Sequence, residues 1–173
     1  GPTIKEVVNE YTNLTGKTPL PQLWTLGYQQ CRWSYAPQER TMEIAKCFRE
    51  KDIPCDTIYL DIDYMDGFRV FTWDNKKFEN PKEFLQQLKE MGFKVVTIID
   101  PGVKVDKGYK IYDEGLKEGY FATDKDGIVY KNSVWPGESV FPDFMNSNTR
   151  EWWAGNQKIM MEATFSLELR HLT

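Results

Sequence analysis

A chain of 173 residues with 40% hydrophobic and 14% aromatic content is long enough for one packed domain, which excludes a disordered protein. Its net charge of −4 comes from 22 basic and 26 acidic residues, the basic ones scattered rather than gathered in a stripe, so nucleic acid is not an expected partner. No apolar run approaches the ~20 residues needed to cross a bilayer, and the start GPTIKEVVNEY has neither the basic end nor the apolar middle of a signal peptide; a soluble, cytoplasmic chain with no membrane partner is expected.

In chain order, residues 1–18 read as a lead-in helix, and LWTLGY over 23–28 as a buried strand. QERTMEIAKCFREK then reads as a helix with Thr41, Ile44, Ala45 and Phe48 on one face. TIYLDI over 57–62 is a second apolar strand. Asn80 is placed to cap the next helix, with Pro81 at its first position, Glu83 three residues after the cap, and Phe84, Leu85 and Leu88 as its apolar face. KVVTII over 94–99 is a third strand. The text from Asp100 to Phe144 then turns loop-like, and Asn148 with Glu151 reads as a capping box for a helix running to Ala163.

Near-continuous apolar strands alternating with helices imply parallel strands and right-handed crossovers. A doubly wound nucleotide-binding sheet needs a Gly-rich turn after its first strand, and QQCRWSYAPQ has no glycine. Polar and aromatic residues at the end of each strand fit a barrel instead, so the fold class is α/β, a partial (β/α)8 TIM barrel of about the first three to four units. Cys31, Cys47 and Cys55 form no metal-ligand spacing and His171 is the only histidine, so no metal and no cysteine–histidine nucleophile are expected.

The segment YLDIDYMDGFRVFTWD concentrates Asp61, Asp63, Asp66 and Asp74 among aromatic rings. In an extended strand Asp61 and Asp63 share a face and would emerge together at a barrel mouth. Unpaired buried carboxylates are costly, so they must meet hydroxyls, cations or water. The competing partners are sugar hydroxyls, loop N–H groups with Arg69, and a divalent ion. Trp33, Trp73 and Trp135 fall in loops after strands, and sugars pack their C–H faces on such rings while carboxylates take their hydroxyls. Carbohydrate is the expected ligand class.

The successive segments LGYQQCRWSY, IYLDIDYMDGFRVFTWD, VVTIIDPGVKVD, VWPGESVFPDF and REWWAGNQKIMME resemble, in order and spacing, the first half of the catalytic barrel of glycoside hydrolase family 31, the α-glucosidase and α-xylosidase family. The resemblance implies a retaining hydrolase acting on α-linked glucosides through two aspartates, without cofactor. It places neither aspartate here, because the nucleophile's motif belongs just beyond Ala163. What it places here is the glycone pocket: Trp33, Asp61, Ile62, Ile98 and Trp135. Asp61 is then the leading sugar-hydroxyl ligand, and Asp63, Asp66 and Asp74 are expected to hold loops. For Asp61 and Ile62 to face one pocket, the strand must bend or end between them. The domain reading is a lead-in helix over 1–18, a partial barrel over 19–163 and an unrelated tail over 164–173. The isolated chain is expected to be inactive and to form a homo-oligomer through its open half-barrel face. The alternative is a non-catalytic carbohydrate-binding or scaffold module.

Overall fold

The computed structural model describes residues 1–164, so the tail expected over 164–173 lies, apart from Thr164, outside the described residues. The lead-in helix is α1 (Ile4–Thr15), opened by a reciprocal cap in which Glu6 N–H donates to Thr3 Oγ1 at 3.3 Å and Thr3 N–H to Glu6 Oε2 at 2.9 Å. It buries no residue.

The strand expected over 23–28 is not there. Leu23–Leu26 form a 3₁₀ turn, with Leu23 and Leu26 85% and 72% exposed, and β1 is the dipeptide Gln29–Gln30. An apolar run is extended only where another strand pairs with it, and pairing starts at Gln29, opposite Thr57. Just before it the chain crosses so close to Asp56 that a Cβ on Gly27 would sit 1.7 Å from Asp56 Oδ2.

From β1 the expected alternation holds: α2 (Gln38–Glu50), β2 (Thr57–Leu60), α3 (Pro81–Glu90) and β3 (Lys94–Thr97). The strands are parallel in the order β1-β2-β3, in a register that sets Leu60 beside Thr97. Asn80 caps α3 as expected, accepting from Glu83 N–H at 3.3 Å, with Pro81 first in the helix. Alternation gives the sheet two faces. Ile58 and Leu60, with Val95 beside them, join Phe84, Leu85, Leu88 and Ala45 in the core under the helices. Thr57, Tyr59 and Asp61 share the other face, where the Tyr59 hydroxyl donates to Gln29 Oε1 at 2.6 Å.

Beyond β3 the chain is more ordered than its loop-like text implied. β4 (Val103–Lys104), α4 (Lys110–Lys117), β5 (Lys131–Val134) and β6 (Gly137–Val140) follow, the strands forming a second, antiparallel sheet in the order β4-β6-β5. These strands are two to four residues long, and β4 pairs with a strand from the far end of the segment, so no local period announces them. α5 (Ser147–Thr164) begins earlier than expected. Asn146, not Asn148, stands at its start: Asn146 Oδ1 accepts from Asn148 N–H at 2.9 Å, and its carbonyl accepts from Arg150 N–H at 3.2 Å. Trp153 of this helix meets Phe71 edge-on at 4.8 Å, joining α5 to the core. The result is a partial α/β barrel with open sheets, not a closed one; among the described residues β1 and β3 each keep one unpaired edge.

Candidate functional site

β2 ends at Leu60, and Asp61 opens a 3₁₀ turn over Ile62–Tyr64. The strand expected to run to Ile62 thus stops two residues earlier, because pairing ends at Leu60 opposite Thr97. Asp61 is extended (φ −80°, ψ 178°), and its carboxylate accepts from Ile62 N–H at 2.7 Å, which among the described residues is its one hydrogen bond. The remaining acceptor capacity of this partly buried group is open to a ligand. The same turn separates the two aspartates that strand alternation would have aimed together. Asp63 Oδ2 accepts from Trp33 Nε1–H at 2.5 Å and from the Ser34 hydroxyl, so Asp63 is committed to the loop after β1.

Three further expected site residues gather at this end of the strands. Ile98 follows β3; its N–H donates to Leu60 O at 3.1 Å and its carbonyl accepts from the Tyr64 hydroxyl at 2.8 Å, which sets it beside Asp61. Its side chain is 38% exposed. Trp33 and Trp135 are 67% and 71% exposed, and their ring centroids lie 6.4 Å apart at an interplanar angle of 44°. Trp135 sits at the tip of the β5–β6 hairpin, between the paired Val134 and Gly137. The hairpin closes on the loop after β3 so tightly that a Cβ on Gly102 would lie 2.8 Å from Val134 Cγ2. Ile62 differs from the others, for its side chain is 7% exposed. Cys31 also belongs to this neighbourhood: partial desolvation, and then the charge of Asp61, push its thiol up.

Arg69 serves neither Asp61 nor Asp63. Its guanidinium pairs with Asp106, Nε–H reaching Oδ2 at 3.0 Å, and more loosely with Asp66 at 3.5 Å. Asp74 accepts from Lys76 N–H at 3.0 Å and pairs with Lys77 at 3.4 Å. Partial desolvation pulls the Asp74 carboxyl up, but these donors outweigh it and hold it below its ordinary range. Asp66 and Asp74 thus tie down the loop after β2. Trp73 is no part of an open site. It packs between Tyr64 and Phe78, at 4.9 and 5.7 Å, against the core.

Two cavities flank the tryptophan pair. One, of about 650 Å³, is lined by Trp33, Ser34, Ala36, Pro37, Asp63 and two lysines, Lys76 and Lys77. The other, of about 460 Å³, runs from Asp100 and Pro101 to Trp135 and Phe141. Asp100 is a partly buried carboxylate that sequence reasoning passed over. Its signal was available, since it ends the third strand's apolar run as Asp61 ends the second's. Each cavity sets one exposed indole beside a carboxylate, Trp33 with Asp63 and Trp135 with Asp100, and such pairs of ring and acceptor suit polyols.

Comparison with known proteins identifies the barrel that carries these residues. Residues 18–167 match the model of the glycosyl hydrolases family 31 TIM-barrel domain. The chain is 54% identical to Alpha-glucosidase 2 of Bacillus thermoamyloliquefaciens over 88% of its own length and 19% of that protein's. It is 42% identical to human Neutral alpha-glucosidase AB over 89% of its own length and 16% of that protein's. Among solved structures, the glucosidase II alpha subunit bound to alpha3-Glc2 superposes with a TM-score of 0.84 at 40% identity, covering 90% of this chain and 17% of that one. The chain therefore spans a fifth or less of these relatives, and it belongs to glycoside hydrolase family 31.

Proposed function

We propose that this chain forms the glycone-binding wall of an α-glucosidase-type hydrolase, with Asp61 taking sugar hydroxyls and Trp33, Ile98 and Trp135 bounding the ring. The observation that carries this is the open acceptor capacity of Asp61 at the end of β2, two residues before Asp63, which holds Trp33 of the exposed Trp33–Trp135 pair. Ile62 is the buried support under Asp61 rather than a sugar contact. The names of the relatives supply the substrate class, an α-linked glucoside. The nucleophile and the acid/base of a retaining mechanism lie outside this chain, about 5 to 5.5 Å apart across the bond they cleave.

On this reading the isolated chain binds an α-glucoside without hydrolysing it. Titrating methyl α-glucoside into ¹⁵N-labelled chain is expected to perturb signals at Trp33, Asp61, Ile98 and Trp135, and Asp61→Ala to abolish the response. A response confined to other residues, or turnover of an aryl α-glucoside by purified chain, overturns the reading. Two copies would associate through the open sheet face with Tyr59 and Val96, in competition with the glucoside because Ile98 lies on the same face, and light scattering with size exclusion, with and without glucoside, reads this directly.

A further inference from the structure

The Trp33 ring is held in an unusual way for so exposed a group. It stands on the loop between β1 and α2 with 67% of its surface open, so packing alone leaves its side-chain torsions largely free. Its one hydrogen bond among the described residues is the 2.5 Å contact from Nε1–H to Asp63 Oδ2, and the Ser34 hydroxyl donates to the same oxygen. Arg69 pairs with Asp106 and Asp66, while Lys77 pairs with Asp74 and also donates to the Asp63 carbonyl at 3.4 Å. The hydrogen bonds to the Asp63 carboxylate itself come from two neutral donors, the Trp33 indole and the Ser34 hydroxyl, and hydrogen bonds to a carboxylate are roughly twice as strong as neutral ones.

Geometry gives this contact its meaning. An indole N–H lies in the plane of the ring, so a partner at that edge fixes the ring's rotation and leaves its faces uncovered. Asp63 also lies in the 3₁₀ turn that Asp61 caps. One short turn thus sets both the open carboxylate and the tether of the ring. We infer that Asp63 is a positioning residue, which holds the Trp33 ring at a set angle to Asp61 so that the ring serves as the platform for the sugar. The tether stands on the hydrogen bonds alone; the platform role rests on the glycone-wall reading.

The test uses the indole N–H signals of the ¹⁵N-labelled chain, with Trp33→Phe identifying the Trp33 signal. Asp63→Ala is expected to shift that signal upfield and to speed its hydrogen exchange roughly tenfold, the loss of one charge-assisted bond. Asp63→Asn, whose amide oxygen can replace Oδ2 as a neutral acceptor, should restore most of the signal. Ser34→Ala, which keeps the carboxylate, should leave it in place. A Trp33 signal unchanged in Asp63→Ala overturns the tether. So does its loss in Ser34→Ala, because the loop and not the carboxylate would then be holding the ring.

Methyl α-glucoside titration then reads the platform. Its affinity, followed at Ile98, should fall about tenfold in Asp63→Ala and recover partly in Asp63→Asn. Equal affinity in wild type and Asp63→Ala overturns the platform while leaving the tether. No response to the glucoside in the wild type defeats the glycone-wall reading and the platform with it, and the indole signal still decides the tether. If Asp63→Ala fails to fold, the Ser34→Ala signal decides the tether: its loss overturns it, and its retention supports it.

Discussion

Helices α1 and α3 carry comparable apolar stripes and sound N-terminal caps, yet they end in opposite environments. In α3, Phe84, Leu85 and Leu88 are 3%, 6% and 0% exposed; in α1, Ile4, Tyr11 and Leu14 are 84%, 64% and 89% exposed. The difference is position relative to the sheet. α3 crosses over from β2 to β3, and a crossover helix lies on the strands it joins. α1 precedes a 3₁₀ turn rather than a strand, so no crossover brings it down. Amphipathy specifies which face of a helix is apolar; connectivity specifies what that face meets.

This contrast is open to direct measurement by denaturant unfolding. Leu88→Ala should cost about 2–5 kcal/mol, the range for deleting a fully buried leucine side chain, whereas Val7→Ala in α1 should change stability by less than about 0.5 kcal/mol. Equal effects would mean that α1 is packed in solution, and would break the comparison.

Alkaline pH sharpens it from the buried side. Burial raises the Tyr64 and Tyr109 hydroxyls above their ordinary 10.0, and they donate to Ile98 O and Val70 O. Below pH 10 both are protonated, folded or unfolded; above it the unfolded chain loses these protons first, so stability falls as pH rises. The expected slope is about 1.4 kcal/mol per pH unit for each tyrosine. Tyr109→Phe is expected to halve the slope roughly, leaving the share of Tyr64.

Arg49 probes the seam between α2 and β3. Its Nε–H donates to Met91 O at 2.9 Å, its guanidinium to Cys55 O at 3.0 Å, and it lies 3.7 Å over the Phe93 ring. Arg49→Ala should cost about 1–3 kcal/mol, and Arg49→Lys should recover little because a point charge cannot make the forked contact. The smallest effect is expected at Asp74. Its carboxyl is held below the ordinary 3.8, so it stabilises the loop after β2 above that pH and ceases to do so as pH falls through its lowered value. The contribution should stay under about 1 kcal/mol and vanish in Asp74→Asn, read from stability between pH 5 and 2.

Much of the barrel portion was legible because its signals are local. The Asn80 cap, Pro81 and the Phe84–Leu85–Leu88 face place α3 without knowledge of anything around it, and the apolar runs after Cys55 and Phe93 place β2 and β3. LWTLGY misled for the same reason that TIYLDI did not. Both are short apolar runs, but only the second has strand partners, and those only over Thr57–Leu60. Trp73 was misplaced because a loop ring packed on Tyr64 and Phe78 has the same sequence setting as an exposed one such as Trp33.

The amino-acid sequence by itself determined the parallel strand–helix alternation and the residue types at the strand ends, because helix caps, apolar periods and chain direction are properties of neighbours in the chain. Tertiary structure alone decided that Asp61 and Asp63 part company, that Arg69 turns to Asp106, and that a hairpin tip brings Trp135 to Trp33. Those outcomes depend on a turn's rotation and on partners far apart in sequence, and no local pattern encodes which of several equally suitable donors will be within reach.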